Sequence, residues 1–72
     1  MLSWNEVFQG LKMGKKYNRK GWDSGNDYIQ ADEYNDIRWY FTVRVNTKGD
    51  FKWSPMIEDF EALDWIEVVD IK

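Results

Sequence analysis

The chain has 72 residues, a net charge of −3, no cysteine and no histidine. That length allows one domain, residues 1–72, with a thin core. The two missing residue types exclude a disulfide staple, a Ser-His-Asp or Cys-His catalytic set and the commonest metal ligands, while the acidic whole argues against binding DNA or long RNA, where neutralised phosphates dominate affinity.

"SWNEVFQGLKMG" predicts an N-terminal helix. Ser3 caps it and Glu6 completes a capping box. Trp4, Val7, Phe8 and Leu11 recur at i, i+3, i+4, i+7, one apolar stripe. Gly10 weakens the helix or permits a close approach, and Gly14 suits its end. A short strand is expected from about Lys16, then a turn at "DSGN", a strand at "DYIQA" and a polar connection at "EYND". "IRWYFTVRV", residues 37–45, alternates strictly. Ile37, Trp39, Phe41, Val43 and Val45 form an apolar face, and Arg38, Tyr40, Thr42 and Arg44 form a polar one. "NTKG" fits a type I turn, with "DFKW" returning as the paired strand. Ser54 and Pro55 are placed to open a short second helix, and "WIEVVDI" closes the chain as a strand. The fold class is therefore α+β: an N-terminal helix and a short second helix packed on a mostly antiparallel sheet of about five strands.

No stretch reads as a signal or a membrane span, so a soluble, cytoplasmic place with no membrane partner is expected. Charge is uneven. Residues 1–22 carry five cations against one acid, +4, and residues 23–72 carry five cations against twelve acids, −7. Five Trp, four Tyr and four Phe supply either core area or stacking platforms.

Glu58, Asp59, Glu61 and Asp64 are the carboxylates placed closely enough to pair, but acids on a surface helix commonly face solvent. No activated nucleophile or metal set accompanies them, so neither an enzyme nor a bound cofactor is expected. A nucleotide-like ligand would need flat apolar walls, cationic donors and a few polar groups. Trp4, Phe8, Trp22, Tyr28, Trp39 and Trp53 are candidate platforms, and Trp22, beside a glycine turn, is the most credible exposed ring. Arg19, Lys20, Arg38 and Arg44 are candidate phosphate donors. Asn5, near a helix N-terminus, and Asp59 are candidate partners for ribose hydroxyls or base edges. Against each stands a plain alternative: a core ring, a solvated lysine, or a carboxylate that tunes a helix end.

The helix "WNEVFQGLKMGKK", then "RKGW", "KWSPMIEDFEALDW" and the final "IEVV" resemble the second type of Thoeris anti-defence protein, a family of small phage proteins. The matching positions run from Phe8, Leu11 and the Gly14-Lys15-Lys16 end through Arg19, Gly21 and Trp22 to Trp53, Pro55, Asp59, Phe60, Ala62, Asp64 and Trp65. The resemblance spans nearly the whole chain, with residues 26–50 matching least. It implies a sponge that binds the cyclic ADP-ribose isomer of Thoeris without cleaving it, inside the infected bacterial cell. It also implies a homotetramer with pockets between subunits. Some members hold cyclic dinucleotides at a separate site, blunting a second defence. The competing expectation is a small acidic inhibitor that occupies a host defence protein through its −7 portion.

Overall fold

The structure, a computed structural model, describes residues 2–22, 27–44 and 47–69, and the side chains of all of these except 42–44. The expected turn at 23–26, and the ends of the strand and turn at Val45 and Asn46, lie outside the described residues. In chain order the elements are α1 (Trp4–Lys12), β1 (Lys16–Arg19), β2 (Tyr28–Ala31), β3 (Ile37–Arg44), β4 (Thr47–Lys52), α2 (Ile57–Glu61) and β5 (Trp65–Val68). The five strands form one antiparallel sheet in the order β4-β3-β2-β1-β5. The α+β architecture is the one expected.

α1 begins as its capping box requires. The Glu6 carboxylate accepts the Ser3 N–H at 3.2 Å and the Ser3 hydroxyl at 3.3 Å. It ends at Gly14, whose φ of 83° is a left-handed angle that glycine adopts without strain. Gly10 has a packing reason: a Cβ there would fall on the Tyr17 hydroxyl. The missing side chain lets α1 settle on β1, which outweighs the helix propensity lost.

Cross-strand partners define two faces. Tyr17, Ile29, Trp39 and Phe51 stand opposite one another across β1 to β4. That is the helix face, where Val7 and Leu11 of α1 join Tyr17, Ile29, Trp53 and Trp65 in the buried core. Tyr28, Tyr40 and Asp50 stand opposite one another on the other face, which no described helix covers. On the helix face, all five tryptophans and all four phenylalanines join one continuous set of ring contacts. Each such pair contributes about 0.5–1.5 kcal/mol beyond its buried area.

Two boundaries differ from expectation. Thr47, Lys48 and Gly49 are strand residues paired with Arg44, Thr42 and Phe41, not the body of a type I turn. The Phe41 ring lies over Gly49, where a Cβ would come within 2.7 Å of it. The glycine therefore admits an aromatic neighbour, an arrangement that shields its backbone. α2 starts later than Ser54 and Pro55 suggest. Trp53 is held to the sheet by its N–H on Ile37 O at 3.0 Å, and the chain is not helical before Ile57, Met56 being extended. Asp59 then reaches back, its Oδ2 accepting the Met56 N–H at 2.8 Å. The capping role falls to that carboxylate rather than to Ser54.

Candidate functional site

Two polar constellations flank the helix face. The first is built at the end of β1. Arg19 Nε donates to Asp64 Oδ1 and its Nη1 donates to Asp59 Oδ1, both at 3.0 Å. The side chains of Arg19 and Asp59 are mostly buried, and that of Asp64 is about a third exposed. Asp64, foremost by its hydrogen bond, and Asp59 raise the guanidinium pKa further above its ordinary value, against the opposing effect of burial. With one oxygen on Arg19 and the other on the Met56 N–H, Asp59 ties α2 to the sheet. Its main-chain carbonyl also accepts the Trp65 indole N–H at 3.0 Å.

The second is a groove of about 380 Å³ beside α1, lined by Phe8, Leu11, Lys12, Ala31, Asn35 and Ile37. Its floor is apolar, from α1 on one side and the facing ends of β2 and β3 on the other. Phe8 is 41% exposed. The Lys12 ammonium sits 4.8 Å from the Phe8 ring centroid, where attraction to the ring face holds it. Asn35 supplies an amide from a tight turn, at φ 65°. Asp32 organises that turn, its Oδ1 accepting the N–H groups of Tyr34 at 2.8 Å and Asp36 at 2.9 Å. An aromatic wall, a long-stemmed cation and an amide around an apolar floor suit a planar, negatively charged organic ligand.

The residues expected at a ligand site are divided between these places. Arg19 and Asp59 come together, but on each other. Phe8 lines the groove. Asn5 is exposed in the first turn of α1, and Lys20 is exposed beyond β1, its N–H donating to Asp64 O at 3.2 Å. Trp22 stacks on Trp39, centroids 4.1 Å apart, and meets Trp65 edge-on at 5.6 Å. It is half-buried and packed against the core, so it offers less free face than its glycine neighbour suggests. Arg44 is in β3, with its side chain outside the described residues.

Lys12 and Asn35 do not stand out in the sequence. Lys12 carries a usable signal: it lies four residues after Phe8, hence on the same side of the helix. Asn35 carries none, because the groove exists only once the β2–β3 turn is brought beside α1.

Among the described residues, no group of three or more His, Cys, Asp or Glu is arranged to hold a metal ion. No described helix is long and apolar enough to cross a membrane. In sequence, no curated protein matches the chain. The family model of the Thoeris anti-defense 2-like domain matches residues 2–68, nearly the entire chain, with the α1, Arg19 and Asp59–Trp65 elements inside the match. The chain therefore belongs to the Thoeris anti-defense 2-like family and has a phage anti-defence role, acting in the infected host.

Proposed function

We propose that the protein is a non-enzymatic sponge that sequesters a cyclic nucleotide immune signal, foremost the cyclic ADP-ribose isomer of Thoeris. The observation that carries this reading is the groove beside α1. Phe8 offers a face or edge to the base, Lys12 is placed to leave the ring for a phosphate oxygen, and Asn35 offers an amide to ribose. A chain without histidine or cysteine supports retention rather than turnover, since it has no imidazole or thiol to attack the bound molecule.

A sponge must outcompete a receptor. Nanomolar affinity is about −12 kcal/mol. One stacked base contributes roughly 1–3 kcal/mol, and each charge-assisted hydrogen bond roughly 1.5–3 kcal/mol. The groove alone holds too few such groups, so the reading includes self-association, with a second copy closing the ligand in. A surface suited to that lies next to the groove. Met56, Ile57, Phe60 and Leu63 of the α2 segment are 65%, 75%, 45% and 72% exposed, and the Phe60 and Phe8 rings flank Trp4. Contiguous exposed apolar residues of this kind mark interaction surfaces.

The test is calorimetric titration with the cyclic ADP-ribose isomer, then heat release and chromatography of the ligand. Cyclic dinucleotides of a second defence serve as further candidates. Tight saturable binding is expected, with the ligand recovered intact. Phe8→Ala and Lys12→Ala should each weaken binding about tenfold or more, with the unfolding midpoint little changed. No binding, or recovery of a hydrolysed product, overturns the reading.

A further inference from the structure

The helix-free face of the sheet carries chemistry that the groove does not use. Tyr28 and Tyr40 are direct cross-strand partners, their rings stacked with centroids 5.1 Å apart and planes 20° from parallel. Lys16 of β1 places its ammonium 4.9 Å from the Tyr28 ring centroid. On the other side, Arg38 and Lys52 are direct partners across β3 and β4, and Lys48 shares their face. The chain is net −3, yet among the described residues four cations stand on this one face.

Two described acids of this face are already engaged. Asp50 accepts from Arg38 Nε at 2.8 Å, and Asp32, at the border, is held by the turn N–H groups. Lys48 and Lys52 are exposed and make no ion pair among the described residues. Strands lie about 4.8 Å apart, so the cations bracket the ring pair over roughly 14 Å from β1 to β4.

Planar rings on an open sheet, with cations on both sides, match one ligand chemistry: unpaired bases joined by phosphodiesters. A base stacks on the face of Tyr40 turned away from Tyr28, whose own ring is covered by Tyr40 and Lys16, and the phosphates beside it meet the lysines. A duplex cannot use the rings, because its bases are turned inward. An acidic protein segment would use the cations and leave the rings idle. We propose that this face binds a short segment of single-stranded nucleic acid, on the opposite side of the sheet from the groove. Whole-chain acidity disfavours long tracts and limits the contact to what the face spans.

The test is fluorescence anisotropy with a short labelled uridine oligonucleotide at roughly 50 and 200 mM salt. Saturable binding at the lower salt, weakened at the higher, is expected. The exposed pair Lys48→Glu and Lys52→Glu together should weaken binding at least tenfold and flatten the log–log salt slope by roughly 1 to 2. Tyr40→Ala should weaken it about fivefold or more, whereas Tyr40→Phe keeps the ring and the affinity. Circular dichroism confirms that the lysine variant keeps the fold, and Phe8→Ala should leave this binding unchanged. The proposal is overturned by no binding of the oligonucleotide, by affinity indifferent to the lysine exchange, or by equal affinity for a duplex. Equal affinity for an oligoglutamate peptide would also overturn it and assign the face to an acidic protein partner.

Discussion

Arg19 and Lys12 are two cations of the same basic N-terminal third, and they do opposite things. Arg19 lies largely buried at the end of β1 with both donor edges on carboxylates of the molecule itself. Lys12 lies on the exposed side of α1, attracted only to the Phe8 ring at the groove, and makes no ion pair among the described residues. The difference comes from what surrounds each side chain, not from its charge. Leaving a largely buried arginine unpaired would be costly, so two aspartates meet it. A lysine on a helix surface keeps water and loses little by moving. A cation next to a tryptophan in sequence is therefore weak evidence for a ligand; a cation over an exposed ring beside an apolar groove is stronger.

The largest expected effect tests the structural side of this contrast. Trp65 is fully buried, contacts the rings of Trp4, Trp22 and Trp53, and donates its indole N–H to Asp59 O. Trp65→Ala should cost about 3–5 kcal/mol, enough to unfold much of a domain this small, as urea denaturation would register. Next comes Arg19→Met, which leaves Asp59 and Asp64 facing each other without their shared donor. A loss of roughly 1.5–3 kcal/mol is expected, with ligand affinity at the groove unchanged in the folded fraction. The contrast would break if Arg19→Met kept its stability and lost the ligand.

Most of the frame is legible in the sequence, because local rules agree there. Ser3 and Glu6 mark the start of α1, Gly14 its end, and Ile37, Trp39 and Phe41 of β3 the packed face. The failures are nonlocal. Gly49 follows Asn46-Thr47-Lys48 and looks like the end of a turn, yet it is a strand position because the Phe41 ring across the ladder needs the space. Ser54-Pro55 looks like a helix start, yet register at Trp53 holds the chain to the sheet, the helix begins only at Ile57, and Asp59 caps it from inside. The site is legible in part for the same reason. Phe8 shows as an edge residue of the α1 stripe, but nothing near Asn35 in sequence indicates that its turn will stand beside that helix. Arg19 and Asp59 are forty residues apart, and their pairing is a property of the β1–β5 register.

The smallest expected effect concerns the seat of α1, which both regions share. Tyr17 is 3% exposed beneath Gly10, and its phenol pKa is raised above 10.0, foremost by burial and then by the charges of Glu67 and Glu6. In the unfolded chain the phenol ionises near its ordinary value; in the folded one it holds its proton to higher pH. Between those two values the unfolded state binds fewer protons, so stability falls as pH rises, and below pH 10 this group contributes no slope. Tyr40, also raised chiefly by burial, acts in the same direction from the open face. The urea midpoint should therefore decline above pH 10 in the natural chain. Tyr17→Phe should reduce that decline, and Tyr17→Phe with Tyr40→Phe should reduce it further. An alkaline decline untouched by both changes would mean that neither phenol is held from ionising by the fold. That would undercut the close seating of α1 on β1, on which the groove and the Arg19 clamp both depend.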